Sequence, residues 1–208
     1  WQYDYDGQGR LLSKSNPLGE TTEYTYDGDK PWPVTITSPG GRTVAMTYDG
    51  QGNLLTVTDP LNETITMEWS PQGDLIRLTD ALGQSTTFSY NATGLVTSIT
   101  DPEQRTVQYD YDELGRPTRT TQPGGETQTW SYDALGRVVA ATNRLGDTSR
   151  FSYDPAGRLQ TVTDWAGAAI SFQYDQYGRQ VQELRPDGQI LKYAYTVANR
   201  IASKTNPD

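Results

Sequence analysis

A tandem repeat fixes what this chain can fold into. Tyr-Asp occurs at Tyr5-Asp6, Tyr26-Asp27, Tyr48-Asp49, Tyr111-Asp112, Tyr132-Asp133, Tyr153-Asp154 and Tyr174-Asp175, and degenerate copies stand between and after them at Trp69-Ser70, Tyr90-Asn91 and Tyr195-Thr196. Ten copies follow one another at 21 residues, with a single step of 22. A fixed period of this length marks an architecture in which each unit is one supersecondary element that buries its apolar surface only against its neighbours. The domain expectation is therefore one continuous array over residues 1–208.

Each unit divides into two turns and two strands. In the sixth, Asp112 to Gly115 reads as a type I turn, with the carboxylate accepting backbone amides and Gly free to take the left-handed conformation. Arg116 to Thr121 forms a first strand, Gln122-Pro123-Gly124-Gly125 a second turn, and Glu126 to Tyr132 a second strand. Comparable second turns stand at Asn16-Pro17-Leu18-Gly19, Asp59-Pro60-Leu61-Asn62, Asp101-Pro102-Glu103-Gln104 and Arg185-Pro186-Asp187-Gly188. Strands this short, punctuated this often, predict an all-β chain of tandem hairpins in a curved single-layer antiparallel sheet and leave no room for a helix. The repeat signature is carried by Tyr5, Asp6, Gly9 and Arg10; Tyr48, Asp49 and Gly52; Tyr111, Asp112, Gly115 and Arg116; Tyr132, Asp133, Gly136 and Arg137; Tyr153, Asp154, Gly157 and Arg158; and Tyr174, Asp175, Gly178 and Arg179.

Side chains alternate along a strand, so each Tyr of a Tyr-Asp shares a face with the residue two before it. Those residues are Tyr3, Tyr24, Met46, Met67, Phe88, Tyr109, Trp130, Phe151, Phe172 and Tyr193. The expectation is two bulky columns across one face, each side chain stacked on its counterpart in the next repeat. The first strands are less regular. Leu54 and Val57, Leu75 and Leu78, Val96 and Ile99, and Leu159 and Val162 are three apart, which requires either a bulge or apolar residues on both faces.

With 34% hydrophobic residues and a mean hydropathy of −0.73, the chain is too polar for a two-sided core, yet 14 Tyr and 5 Trp, most of the Tyr in fixed register, argue against disorder. A net charge of −9 disfavours nucleic acid. Arginine recurs after the turn glycine, where a cation paired with a nearby carboxylate and stacked on an aromatic is preferred to a stripe for phosphate or acidic glycans. The absence of His and Cys removes the common nucleophile triads and zinc ligand sets, and carboxylates that follow the turn period read as turn caps rather than as a glycosidase pair. A calcium loop opening at Asp4 would need Glu at its twelfth position, where Ser15 stands. No catalytic, cofactor or metal site and no membrane span is expected, and Asn62-Glu63-Thr64 and Asn91-Ala92-Thr93 match the glycosylation sequon at near-chance frequency. The chain opens within a strand at Trp1 and stops within a turn at Asp208, which reads as a fragment of a larger protein.

The unit Tyr-Asp-x-x-Gly-Arg, an apolar residue, then Thr-Asp-Pro-x-Gly, approximated in Tyr48 to Asn62 and Tyr153 to Gly167, resembles the YD repeat of Rhs-family proteins. That family includes bacterial polymorphic toxins such as type VI secretion Rhs effectors and wall-associated contact-dependent toxins, insecticidal Tc toxin components, and animal teneurins. The resemblance covers essentially the whole chain. It implies a long sheet spiralling into a hollow shell which, in bacterial members, encloses a C-terminal toxin domain, often released by Asp-dependent self-cleavage. No such cleavage segment is present, so that activity is not carried over. The implied partners are the toxin domain and flanking repeats, with self-association through open sheet edges, and the implied location is secreted or cell-surface. The alternative is an adhesion or carbohydrate-binding module that takes a glycan. The second repeat departs from the pattern, since Asp27-Gly28-Asp29-Lys30-Pro31-Trp32-Pro33 carries the extra residue and lacks the turn glycine, and a distortion with Trp32 pinning the loop is expected there.

Overall fold

The structure, a computed structural model, describes residues 1–206. Two compact units of repeats follow one another, Trp1–Thr106 and Val107–Asp208. In the first, the strands are β1 (Gln2–Tyr5), β2 (Leu11–Ser15), β3 (Thr21–Tyr26), β4 (Pro33–Thr37), β5 (Thr43–Tyr48), β6 (Leu54–Thr58), β7 (Thr64–Trp69), β8 (Leu75–Thr79), β9 (Ser85–Tyr90) and β10 (Val96–Thr100). In the second they are β11 (Thr106–Tyr111), β12 (Pro117–Thr121), β13 (Thr127–Tyr132), β14 (Val138–Thr142), β15 (Thr148–Tyr153), β16 (Leu159–Thr163), β17 (Ala169–Tyr174), β18 (Gln180–Leu184), β19 (Ile190–Tyr195) and β20 (Ile201–Thr205). Within each unit every strand pairs antiparallel with the next in sequence, as in β5–β6–β7 and β15–β16–β17, and no helix occurs among the described residues.

Both kinds of turn use the same device. Gly115 donates its amide to the Asp112 carbonyl and Asp112 donates its own to the Arg116 carbonyl, each at 3.0 Å. This is a type I turn followed by a left-handed residue, and Gly115 has φ of 76°. The residue after the glycine therefore closes the loop instead of opening the strand. The expected strands at 116–121 and 126–132 start one residue later, at Pro117 and Thr127, for this reason. Asn62, Gln104 and Asn199 fill the same left-handed position without being glycine.

A bulge at the start of each first strand accounts for the odd spacing. Tyr48 lies opposite Leu54, Thr47 opposite Thr56 and Met46 opposite Val57, so Leu55 is the extra residue. Leu54 and Val57 thereby join Tyr48 and Met46 on one face, and the same shift occurs at Tyr153, opposite Leu159. The other face carries threonine and serine hydroxyls together with charged side chains, among them Glu68 paired with Arg77 at 3.5 Å. Thr37–Thr43, Thr58–Thr64, Thr100–Thr106 and Thr142–Thr148 join across the second turns at 2.8 to 2.9 Å.

Each unit is a single layer. Leu191, 6% exposed, is the one buried hydrophobic residue among those described, and the aromatic face is half-buried by its own side chains lying along the sheet. The expected stacking of equivalent aromatics is not how that face is built. Second strands of consecutive repeats are separated by a first strand, roughly 9.6 Å at ~4.8 Å per strand, beyond ring-stacking reach. Apolar residues of the intervening strand fill the gap, with Val57 between Met46 and Ile65 and Val162 between Phe151 and Ile170.

Candidate functional site: a guanidinium latch between repeats

The signature residues converge on the edge formed by the first turns. In Asp133-Ala134-Leu135-Gly136-Arg137, one Asp133 carboxylate oxygen accepts the Leu135 and Arg137 amides at 2.9 Å each. Its other oxygen accepts the Arg137 guanidinium at 2.7 Å. Asp133 consequently titrates below the ordinary carboxylate value of 3.8, chiefly through the Arg137 amide and then its side chain. Asp6 is lowered in the same sense by the Arg10 amide first, and Asp154 by the Arg158 amide first. In Asp112 and Asp175 desolvation opposes the shift, and hydrogen bonds from Arg116 and Arg179 outweigh it.

The guanidinium held by its own turn lies on the tyrosine of the next repeat. Arg137 sits 4.5 Å from the centroid of Tyr153, and Arg10, Arg116, Arg158 and Arg179 sit 4.6 Å from those of Tyr26, Tyr132, Tyr174 and Tyr195. A free guanidinium nitrogen then reaches into the next turn. Arg116 and Arg158 donate to the carbonyls of Asp133 and Asp175 at 3.3 and 3.2 Å, and Arg10 donates to those of Gly28 and Lys30 at 2.7 and 2.8 Å. Glycine is required at these turns by backbone conformation, with φ of 82°, 82° and 80° at Gly136, Gly157 and Gly178, and not by lack of room for a side chain. A Cβ on Gly136 or Gly157 would meet the Arg116 or Arg137 guanidinium at 3.6 Å, and one on Gly178 would meet that of Arg158 at 3.9 Å.

The tyrosine hydroxyl completes the latch. Pairing between β14 and β15 ends at Ala140–Arg150, which leaves the Val138 carbonyl outside that ladder, and Tyr153 donates to it at 2.8 Å. The same bond, always to the residue 15 positions earlier, joins Tyr26 to Leu11, Tyr132 to Pro117, Tyr174 to Leu159 and Tyr195 to Gln180. Burial raises the Tyr174 phenol above its ordinary value of 10.0. Asp, Arg and the following Tyr thus form one connected group spanning two repeats. Tyr5 heads the first repeat and is 55% exposed, and Tyr111 ends β11 ahead of the Asp112 turn.

The latch is absent from the last three repeats of the first unit. Asn53 replaces arginine and donates to Asp49 at 2.8 Å, while Asp74 and Leu95 occupy the position in the next two. The backbone bond persists there, from Trp69 Nε1 to Leu54 and from the Tyr90 hydroxyl to Leu75, both at 2.8 Å. In the distorted second repeat Trp32 takes the arginine's place. Its ring lies 5.5 Å from that of Tyr48, tilted by 42°, and covers Gly52, whose hypothetical Cβ would sit 2.6 Å from the indole. Trp32 therefore does pin this region.

Sequence reasoning missed this bridging because the partner lies 16 residues ahead of the arginine, a separation that no local motif reveals. It also missed Glu183, which stands in an otherwise mostly apolar column and is held by Arg185 at 2.9 Å and the Tyr193 hydroxyl at 3.1 Å. Every Asp and Arg of the latch is engaged by its partner, and no group of three or more potential metal ligands occurs among the described residues. No helix among them is long and apolar enough to cross a membrane.

Comparison with known proteins gives the same architecture a family. No curated protein sequence matches the chain. Solved structures match over nearly its full length: a crystal structure of TcdB2-TccC3-TEV at 18% identity and TM-score 0.69 over 98% of the chain, and TcdB2-TccC3 without its hypervariable C-terminal region at 17% and 0.66 over 99%. A Tc holotoxin pore of Photorhabdus luminescens aligns at 15% identity and TM-score 0.52 over 99%. The chain spans only 12% to 14% of the length of these proteins. Residues 132–169 match the RHS repeat, and residues 1–128, more than half the chain, match the teneurin YD-shell. The chain belongs to the teneurin YD-shell family.

Proposed function

We propose that these repeats form a stretch of the wall of a YD-repeat shell that encloses a C-terminal toxin domain of the same polypeptide, acting by enclosure rather than by chemistry. The observation that carries this reading is the latch. In the second unit successive repeats are tied through side chains along one edge while the sheet stays a single layer, a construction suited to a thin partition. The fold shared with TcdB2-TccC3, over a small fraction of its length, supports a segment of wall rather than a complete container. Flanking repeats and the toxin domain are the partners under this reading, the array is continuous over 1–208, and the location is secreted or cell-surface.

An adhesion or glycan-binding role has less support. Sugar-binding aromatics need an open face, whereas the tyrosines Tyr26, Tyr132, Tyr153, Tyr174 and Tyr195 are covered by guanidinium groups. The test is limited proteolysis with mass spectrometry on the longest polypeptide that contains these repeats. A C-terminal fragment that resists digestion until the repeats are denatured is the expected result. A C-terminal region digested as fast in the native protein as in the denatured one would overturn the reading.

A further inference from the structure

The two units differ sharply in charge. Residues 1–106 hold fourteen acidic against six basic side chains, net −8, and residues 107–208 hold twelve against eleven, net −1. Within the acidic unit, the turns Asp59–Asn62 and Asp80–Gly83 flank a small apolar cleft on the second-turn edge. Val57 and Ile65, paired across β6 and β7, form its floor with Ala81 and Leu82 beside them, and Asp59, Glu63 and Asp80 surround it with three carboxylates. Ile65 is 41% exposed and Leu82 82% exposed, so this apolar surface lacks a cover within the chain. At about 280 Å³ the cleft lies just below the range typical of small-molecule sites, roughly 300–1,000 Å³, and is suited to one or two side chains.

The matching tip is found in the other unit. Among the second turns described, Asn143-Arg144-Leu145-Gly146 is the one that places a cation directly before a large apolar residue. Leu145 is 85% exposed, and Arg144 is exposed with no ion-pair partner among the described residues. A type I turn constrains its central residues only weakly in side-chain type, so neither is needed to make the turn.

We infer that copies of this chain associate head to tail, with the Arg144-Leu145 turn of one copy seated in the acidic cleft of the next. Leu145 fills the apolar floor and Arg144 faces Glu63, Asp59 and Asp80. Because the two surfaces differ, each copy carries both a tip and a cleft, and every contact joins the second unit of one copy to the first unit of another. Pairing of exposed edge strands would produce association too, but independently of Arg144 and of salt.

Sedimentation velocity over a concentration series, at low and high salt, tests this with the 208-residue chain. The wild type associates and loses association as salt rises. Combining R144E with L145S, or substituting E63K alone so that the turn-capping Asp59 and Asp80 stay in place, weakens it roughly tenfold or more, and an equimolar mixture of R144E and E63K chains regains part of the loss, since opposite charges again face each other. All these positions are on or beside turn tips, and unchanged circular dichroism confirms folding. A wild type that stays monomeric, association undiminished in R144E/L145S, or a mixture no better than its components would each overturn the inference.

Discussion

The Tyr153 hydroxyl offers the cleanest measurement of how tightly one repeat is held to the next. Tyr153→Phe deletes the 2.8 Å bond to the Val138 carbonyl while leaving a ring under Arg137. One intramolecular hydrogen bond is worth ~0.5–1.5 kcal/mol net, so a loss of about 1 kcal/mol is expected. Tyr153→Ala removes the ring as well, and with it half-buried apolar area and the cation–π contact, raising the loss to about 2–3 kcal/mol. Urea unfolding followed by the intrinsic fluorescence of the five tryptophans reads both. At a slope of roughly 2 kcal/mol/M the midpoint falls by about 0.5 M for the phenylalanine variant. Tyr109→Phe is the control, because its hydroxyl has no hydrogen-bond partner among the described residues and its loss is expected to stay within ~0.5 kcal/mol. Since a repeat array gains stability from interfaces between neighbours, Tyr153→Ala also broadens the transition as the two sides uncouple. A Tyr153→Phe loss no larger than that of Tyr109→Phe would refute the latch as a stabilising contact.

Three further outcomes follow from the same geometry. Asp6, Asp112, Asp133, Asp154 and Asp175 titrate below 3.8 in the folded chain, so their contribution is complete above that value and is lost as pH falls through it and through the lower folded values. Thermal midpoints should be flat from about pH 7 to about 5 and drop below about pH 4, and a drop centred near pH 6 would contradict the assignment. Gln104 holds φ of 63°, so Gln104→Gly is expected to stabilise by a few tenths to about 1 kcal/mol in chemical denaturation, and a variant no more stable than the wild type would contradict left-handed strain at this turn. Gly52→Ala is expected to cost more than Gly19→Ala, because Gly19 faces open space whereas Gly52 lies under Trp32, and a double-mutant cycle with Trp32→Ala should recover the difference.

Turn chemistry and strand length were legible because they are local. Asp at the first turn position and Gly at the fourth dictate the reversal from within four residues, and two reversals per 21 residues leave only hairpins. Features that depend on register were not. The spacing of Leu54 and Val57 admits a bulge or a two-faced strand equally, and only the pairing of Tyr48 with Leu54 and Met46 with Val57 separates them. Arginine after the turn glycine suggested an ion pair and an aromatic neighbour, and both are present. Which aromatic it meets depends on how the bulge and the intervening strand bring Tyr153 beneath Arg137. The stacked columns failed for a metric reason, since equal sequence register does not place rings within contact across a whole intervening strand. Trp32 was visible as an anomaly, but its role as a substitute for arginine requires the position of Tyr48.

The second repeat shows how forgiving this construction is to changes in length. Its extra residue is absorbed between Tyr26 and Pro33, yet β3 and β4 resume the same pairing as other hairpins, with Tyr24 opposite Ile36. Irregularity in one loop is not passed on to the strands that follow. Each latch, moreover, is encoded within two adjacent repeats. Duplication or excision of a whole repeat would thus leave every remaining latch intact, and the array can grow or shrink by recombination in steps of two strands, about 9.6 Å of sheet each. The extent of such a sheet becomes a heritable, quantised trait that selection can adjust without redesigning a single contact.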